Sequence, residues 1–302
     1  MYLLQFANVR WNGHLSEKFA LSNGVKQGAI LSAILYCIYV NGLFERLREK
    51  RTGCWIKGHY LGIMGYADDN FLLSPTLEGL QEMITTCEEY SKEHNLKFST
   101  SPIPAKSKTK CMAFLLKERY LRKLKLGGNE LPWWNFSKHL GNKIDNTKNG
   151  MAQDLKEKRA RFIDRNNELC QEFFFAHPET KLRVNDIYNC HFTGSPLWDL
   201  FSPEAIQFEK TWNVCFRIMF GLPRETHCYF VESITQKPHL KTILVERFLN
   251  FTKQIANSEK IALKSVFNFI KNDARSTTGK NLRSILLLLD KNDIDDLSPQ
   301  DA

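Results

Sequence analysis

Two adjacent aspartates, Asp68 and Asp69, are the residues of this 302-residue chain whose type and spacing most clearly suggest chemistry. Two short apolar segments, 63–66 and 70–73, flank them and predict paired strands, which puts both carboxylates at a hairpin tip. Like charges this close destabilise each other, and a divalent cation is a natural compensating charge. Mg²⁺ prefers oxygen ligands, and two such ions roughly 3.5–4 Å apart can flank an in-line displacement at phosphorus. The pair therefore suggests metal-assisted phosphoryl chemistry, and the plain alternative is a polar turn.

The elements that must position this pair begin with another predicted hairpin and a long helix. Residues 3–21 are rich in strand formers around Asn12-Gly13, a dipeptide that tolerates the positive φ angles of a type I′ turn. Residues 22–24 then break the strand, and residues 28–48 carry apolar side chains near helical spacing. We therefore expect a β-hairpin followed by one long helix.

A second helix and two extended segments are predicted after the carboxylate pair. Pro75-Thr76 stops the strand and can cap a helix, and apolar residues recur at helical spacing through 77–94. Residues 95–99 and 110–116 look extended. The order helix, strand, strand, helix, strand is that of a ferredoxin-like split βαβ unit without its first strand, which is central in that sheet. The sequence thus predicts an α+β fold with an incomplete sheet.

The organisation changes beyond residue 126. Gly127-Gly128 starts a turn-rich stretch, and the pattern from Met151 onwards is helical and basic. Helices are predicted to continue through 212–220 and 240–255. The last dozen residues are acidic, and we expect them to fray.

Composition favours an intracellular protein, nuclear or cytoplasmic, that meets a polyanion. Lys and Arg total 42 against 33 Asp and Glu, and the resulting net charge of +9 makes nucleic acid the first partner to consider. Eight cysteines without a CxxC pair argue against a disulfide scaffold and a zinc ribbon. No signal peptide is recognisable, and the apolar run 29–40 is shorter than the roughly 20 residues of a membrane span. We expect no membrane segment, and no protein partner is indicated.

Two segments around the carboxylate pair match a known pattern. Tyr66-Ala67-Asp68-Asp69 is similar to the YxDD box of reverse transcriptases. Residues 22–32 (SNGVKQGAILS) resemble the NGVxQGxxLSP segment of the same family, with Ala33 in place of the usual proline. The Val9 to Gly13 hairpin resembles the lead-in to that segment in non-LTR retrotransposons.

Three downstream segments extend the resemblance. Residues 106–114 resemble the lysine-bearing strand that follows the YxDD box, and residues 138–142 (KHLGN) resemble the primer-grip region. Residues 191–198 (HFTGSPLW) look like the thumb region of jockey-type elements. The resemblance is dense over residues 1–145 and looser beyond, and it identifies a reverse transcriptase of a non-LTR, jockey-like retrotransposon.

This resemblance implies a role for each matching residue. Asp68 and Asp69 would be catalytic and would hold Mg²⁺, with Mn²⁺ as the alternative ion. Lys108 would protonate the leaving pyrophosphate, with Lys106 and Lys110 as close rivals. The other implied roles are Tyr66 under the primer terminus, Asn23, Gly24, Gln27 and Gly28 around the templating base and incoming nucleotide, and His139, Leu140 and Gly141 in the primer grip. The implied partners are an RNA template, a DNA primer and deoxynucleoside triphosphates.

The resemblance also divides the chain into regions. Residues 1–125 would form an incomplete reverse-transcriptase palm, 126–150 a primer-grip hairpin, 151–235 a helical thumb-like region and 236–302 a helical C-terminal tail. The family's further catalytic aspartate lies on the strand before the glutamine-glycine segment, and this sequence has neither that strand nor the fingers. We therefore expect an RNA-directed DNA polymerase fragment from an N-terminally truncated element copy, inactive as an isolated chain.

Other interpretations remain beside this one. The main alternative is a non-catalytic nucleic-acid-binding remnant, whereas a group II intron or telomerase relative fits the carboxylate box but fits HFTGSPLW poorly. Lys106 to Lys125 carries eight Lys or Arg residues and one acid, which in a polymerase favours phosphate contact over a merely solvated face. Four tryptophans could stack on bases, although core or turn anchoring is the commoner use of such residues: Trp133, Trp134, Trp198 and Trp212.

Overall fold

The computed structural model describes residues 5–21, 24, 28, 30–103, 106–116, 118–147, 151–189 and 192–291. The chain divides into two compact units. The first comprises residues 1–106 with 122–130, and the second comprises residues 107–121 with 131–302. Helices and small antiparallel sheets make up the described residues, so the architecture is mixed α and β. Among these helices, none is long and apolar enough to cross a membrane.

Short strands and helices form the described part of the first unit. They are β1 (Gln5–Ala7), β2 (Arg10–Trp11), β3 (His14–Leu15), β4 (Phe19–Leu21), α1 (Ser32–Glu49), β5 (Trp55–Ile56), β6 (His59–Tyr60), β7 (Ile63–Tyr66), β8 (Asp69–Leu72), α2 (Leu77–Glu93), β9 (Lys125–Leu126) and β10 (Asn129–Glu130). The antiparallel pairs are β1 with β4, β2 with β3, β5 with β6, β7 with β8, and β9 with β10.

The N-terminal hairpin forms where the sequence predicts it. Asn12 and Gly13 have φ angles of +47° and +81°, which confirms the tight turn with two positive φ angles. The ladder of this hairpin is interrupted between the inner pair, β2 with β3, and the outer pair, β1 with β4. There Ser16 Oγ accepts a hydrogen bond from the Val9 N–H at 2.9 Å, and the Ser16 N–H donates to the Val9 carbonyl at 2.9 Å.

Helices α1 and α2 pack against each other and build the core of the first unit. Its buried side chains come from both helices and from β7: Leu43, Leu47, Ile63, Met83, Cys87 and Tyr90. The predicted start of the first helix at residue 28 is wrong by four residues, because the φ of +81° at Gly28 is incompatible with a right-handed helix. The second helix is confirmed, and Thr76 Oγ1 caps it by accepting from the Gly79 N–H at 3.1 Å.

The expected multi-stranded sheet of a split βαβ unit is not formed in the part of the chain that the structure describes. β7 and β8 remain a two-stranded hairpin, residues 95–99 contain no strand, and residues 110–116 make only a single parallel bridge from Cys111 to Trp133. In the described residues no third strand lies beside β7 and β8, so a closing strand has no ladder to join.

Helices dominate the second unit. Its described elements are β11 (Phe136–His139), β12 (Asn142–Asp145), α3 (Ala152–Glu172), α4 (Pro178–Tyr188), α5 (Pro203–Phe220), α6 (Cys228–Thr235), α7 (Leu240–Ala256), α8 (Ile261–Ile270) and α9 (Thr277–Leu288). This confirms the helical pattern expected from Met151 onwards. The predicted acidic end of the chain lies outside the described residues.

Aromatic side chains fill the core of the second unit. Phe162 of α3 stacks on Trp212 of α5 with ring centroids 5.4 Å apart, and Phe208 meets Phe162 edge-on at 5.6 Å. Trp198, in the loop before α5, is 1% exposed. Two buried polar side chains hold it: its Nε1 donates to Asp154 Oδ2 at 3.0 Å, and its carbonyl accepts from Asn281 Nδ2 at 2.7 Å. This loop therefore ties α3 to α9.

Candidate active site

The β7–β8 hairpin places the two aspartates at its exposed tip, as the sequence predicts. Tyr66 pairs with Asp69 at the end of the ladder, and Ala67 and Asp68 form the two-residue connection. Both carboxylate side chains and the Tyr66 ring are exposed. The structure thus brings together three of the predicted site residues on one short turn.

The tip of this hairpin holds its backbone in an unfavourable conformation. Ala67 has a φ of +52°, in the left-handed region that costs a residue with a Cβ roughly 1–2 kcal/mol. The other two-residue tips in the described residues each have glycine at their second position: Gly13, Gly58, Gly128 and Gly141. The carboxylate hairpin has Asp68 at that place, so the sequence keeps a carboxylate where hairpin geometry favours glycine.

Helix α1 packs against strand β7 of the carboxylate hairpin. A Cβ added to Gly65 would lie 2.7 Å from Phe44 Cζ and 2.7 Å from Asn70 Oδ1, so β7 lies directly against the helix. Tyr36 lies on the same stripe of α1, eight residues before Phe44. Burial raises the pKa of Tyr36 most, and the negative charge of Asp68 raises it further. Asp68 therefore lies within electrostatic range of α1.

The predicted nucleotide-contacting segment is only partly described. Gly24 and Gly28 are exposed, with φ angles of +91° and +81°, and a Cβ added to either would meet nothing within 4 Å. Open backbone of this kind suits close approach of a ligand. Asn23 and Gln27 lie outside the described residues, and the contact of this segment with a template base stays a prediction.

The three candidate lysines differ in their surroundings. Lys106 belongs to the first unit, whereas Lys108 and Lys110 belong to the second, and all three are exposed. Lys110 Nζ lies over the Trp134 ring, 4.4 Å from its centroid. The role of Lys108 as the proton donor stays a prediction, and so does the choice among the three.

The predicted basic stretch from Lys106 to Lys125 is divided between the two units, and two of its cations form ion pairs. Arg122 pairs with Glu78 at 2.6 Å, and Lys123 pairs with Glu130 at 3.0 Å, both within the first unit. These ion pairs offset part of the positive charge that the sequence suggested for phosphate contact.

The predicted primer-grip residues form the tip of the β11–β12 hairpin. His139 pairs with Asn142, and Leu140 and Gly141 form the turn with φ angles of +46° and +82°. Leu140 is exposed at this tip. This hairpin covers residues 136–145, only part of the predicted region 126–150, and its contact with a primer stays a prediction.

Residues that sequence reasoning missed fix this second hairpin to the helices. Asp154 Oδ1 accepts from the Lys143 N–H at 2.8 Å, and Lys158 Nζ donates to Asn142 Oδ1 at 3.0 Å. Lys158 also donates to the Thr193 carbonyl, and a Cβ on Gly194 would overlap Asn142. The KHLGN and HFTGSPLW segments are thus in contact. The four-residue spacing of Asp154 and Lys158 on a predicted helix was the available signal.

Comparison with known proteins gives a family match over the part of the chain that carries the carboxylate hairpin. Residues 1–124 match the family model described as reverse transcriptase (RNA-dependent DNA polymerase). This match supports a reverse-transcriptase-like function for the chain. The matched range contains the whole β7–β8 hairpin and the Gly24 to Gly28 segment, and no curated protein matches the chain.

The hairpin tip carries two carboxylates that could contribute to a divalent-ion site. Asp68 and Asp69 supply oxygen ligands, which is the donor chemistry that Mg²⁺ takes, with water and substrate phosphates completing its coordination. Within the described residues no group of three or more His, Cys, Asp or Glu side chains could hold a metal ion. The two carboxylates therefore fit a divalent ion only together with ligands from elsewhere, such as a nucleotide's phosphates.

The four tryptophans separate into two classes. Trp198 and Trp212 are buried in the second unit's core, so the commoner expectation of core anchoring is correct for them. Trp133 and Trp134 are only half-buried. Base stacking is therefore open to these two alone.

Proposed function

We propose that this chain is part of an RNA-directed DNA polymerase of a non-LTR, jockey-like retroelement, and that the β7–β8 hairpin is the carboxylate part of its polymerase site. The observation that carries this proposal is the reverse transcriptase family match over residues 1–124, which contains two exposed aspartates on one hairpin tip. Its substrates would be an RNA template, a DNA primer and deoxynucleoside triphosphates.

In this proposal Asp68 and Asp69 hold Mg²⁺ or Mn²⁺, which supplies charge stabilisation at the reacting phosphorus when bound. The chain's own contribution is positional. Helix α1 supports the hairpin through Phe44 beneath Gly65, and the exposed Tyr66 ring offers a flat surface beside Asp69 for a primer terminus. Lys108 remains the proposed proton donor.

We further propose that the isolated chain does not polymerise DNA. The N-terminal part of α1 has a stripe of solvent-exposed apolar side chains, in which Ile34 and Ile38 are 56% and 67% exposed. Val40 and Leu43 of the same helix are buried. A continuous exposed apolar stripe suggests a missing covering element. The further aspartate-bearing strand of the family's palm would cover this stripe and add the carboxylate that the hairpin lacks.

Primer extension tests this proposal. The isolated chain is incubated with an RNA template, a DNA primer, deoxynucleoside triphosphates and Mg²⁺ or Mn²⁺. The same assay is run on a fusion protein in which the fingers and first palm strand of a non-LTR reverse transcriptase are joined to the N-terminus of this chain. We expect synthesis only by the fusion, and none when the fusion carries Asp68→Ala. Robust synthesis by the isolated chain would overturn the proposed inactivity.

A second candidate function is nucleic-acid binding without catalysis. The incomplete sheet and the exposed apolar stripe of α1 favour it, because a palm kept only as a scaffold needs no further carboxylate to hold a metal ion. Asp68→Ala distinguishes the two: it abolishes synthesis by the fusion in the first case. In the second it leaves nucleic-acid affinity unchanged or higher, because a negative charge is removed.

A further inference from the structure

A small cavity lies between the N-terminal turns of α5 and α7 in the second unit. Its volume is about 80 Å³, and its walls are mainly apolar: Leu200, Phe201, Ala205, Ile206, Leu240 and Leu244. The three leucines are buried in the core, whereas Ile206 is 49% exposed, so the cavity opens to solvent beside Ile206. The whole lining lies outside residues 1–124, so the cavity is separate from the proposed polymerase site.

Two opposite charges, Glu209 of α5 and Lys241 of α7, also line this cavity. Among the described residues they form no ion pair with each other. Glu209 lies 3.6 Å from His239 Nδ1, and Lys241 Nζ lies 4.9 Å from the centroid of the Phe201 ring. The Glu209 side chain is 28% exposed, and a charge partly withdrawn from water gains more from a fixed partner than an exposed one does. A separated ammonium and carboxylate that face one cavity suit a ligand carrying both charges.

The neighbouring charged groups already have other partners. Glu232 of α6 pairs with His239 Nε2 at 2.5 Å, and Glu204 at the start of α5 pairs with Lys156 at 3.4 Å. Within the described residues the buried His239 Nδ1 makes no hydrogen bond, because 3.6 Å to Glu209 is too long for one. The Glu209 carboxylate therefore keeps the capacity to accept from a ligand.

The volume of the cavity limits the apolar part of such a ligand. A cavity of about 150 Å³ takes benzene with its six carbons, which gives about 25 Å³ for each carbon. A volume of about 80 Å³ therefore takes about three or four carbons, the size of an isopropyl or isobutyl group. An indole is too large, and a hydrogen atom in place of the side chain leaves the apolar walls uncovered.

We infer that this cavity binds a free branched-chain α-amino acid in its zwitterionic form, with valine and leucine as the members that fit. The aliphatic side chain would enter between α5 and α7, the α-ammonium would face Glu209, and the α-carboxylate would face Lys241. The first residue of a peptide supplies the same side chain and ammonium, but its carboxyl group is an amide and leaves Lys241 without an anion. The free amino acid is therefore the ligand that matches both charges.

Titration of the full chain with L-leucine, followed by saturation-transfer NMR, tests the inference. We expect saturable binding of L-leucine and L-valine. Glycine, L-tryptophan and L-leucinamide should each bind about tenfold more weakly or worse, because each lacks the fitting side chain or the carboxylate. L-Leucine should also raise the temperature of thermal unfolding, because a ligand of the folded chain stabilises it.

Two variants are compared on ligands that lack one charge. Isocaproate lacks the ammonium of leucine, and isoamylamine lacks its carboxylate. Glu209→Gln should weaken the binding of leucine about tenfold or more, whereas isocaproate should bind as before or more tightly. Lys241→Gln should weaken leucine to the same extent and leave isoamylamine unchanged or tighter. Each variant must keep one ligand, so misfolding cannot produce this pattern.

Lys210→Gln and Glu246→Gln are the matched controls, because they remove the same charges from exposed positions of α5 and α7 that do not line the cavity. Both should bind leucine as the unaltered chain does. The absence of saturable binding of L-leucine, or equal losses in Glu209→Gln and Glu246→Gln, would overturn the inference. Binding of glycine or L-leucinamide as tight as that of L-leucine would overturn it as well.

Discussion

Replacing Asp154 with alanine should destabilise the second unit more than any surface change. Its carboxylate is fully buried and accepts from the Lys143 N–H at 2.8 Å and from Trp198 Nε1 at 3.0 Å. Asp154→Ala leaves both donors buried without an acceptor, at about 1–3 kcal/mol each. It also removes the nearest carboxylate from Lys158, whose Nζ lies 3.8 Å away. We therefore expect a loss of about 3–5 kcal/mol in the free energy of unfolding.

Guanidinium unfolding measures this loss, followed by the near-ultraviolet circular dichroism of the buried Trp198 and Trp212. Asp154→Asn keeps the shape and one acceptor oxygen, so it should lose less than Asp154→Ala. Asp164→Ala, on an exposed position of the same helix, should stay within about 0.5 kcal/mol of the unaltered chain. If Asp154→Ala unfolds at the same guanidinium concentration as Asp164→Ala, the buried network does not hold the hairpin to the helices.

Three further changes test the geometry of the two hairpins. Ala67→Gly should stabilise the first unit by about 0.5–1 kcal/mol in thermal unfolding, because it relieves the left-handed backbone at a cost in chain entropy; destabilisation would contradict this. Gly65→Ala should destabilise the same unit by about 1–3 kcal/mol, because the new Cβ would overlap Phe44 and Asn70; an unchanged melting temperature would refute the close approach. The hydrogen bond from Lys143 holds the pKa of Glu157 below its ordinary 4.5. The ionised Glu157 side chain therefore stabilises the folded second unit above pH 4.5, and this stabilisation is lost as the pH falls further. The free energy of unfolding of Glu157→Gln should therefore fall less steeply below pH 4.5 than that of the unaltered chain, and an identical pH profile would contradict this.

Local patterns in the sequence predicted the local structure well. Asn12-Gly13 specified its turn, Thr76 specified the cap of α2, and the apolar period of 77–94 specified the helix, because each depends on a few neighbouring residues. The two aspartates fall at a hairpin tip for the same reason. The strain at Ala67 was not foreseen, since nothing in the sequence predicts a positive φ at alanine, and the start of α1 was placed four residues too early.

Long-range structure was less accessible from the sequence. The closing strand expected over residues 95–99 did not form, because pairing depends on a neighbouring strand rather than on its own composition. The stretch from Met151 read only as helical and basic, yet Asp154 is buried and the Lys158 side chain is 11% exposed where α3 meets the hairpin and the Trp198 loop. Burial of that kind follows from the packing of segments far apart in the chain.

Primer extension by the fusion protein tests the central claim most directly, namely that Asp68 and Asp69 are the carboxylates of a polymerase site. The account predicts no incorporation of deoxynucleotides by the isolated chain and measurable RNA-templated synthesis by the fusion. It also predicts complete loss of that synthesis in Asp68→Ala, with oligonucleotide binding retained. Synthesis by the Asp68→Ala fusion at the rate of the unaltered fusion would contradict it.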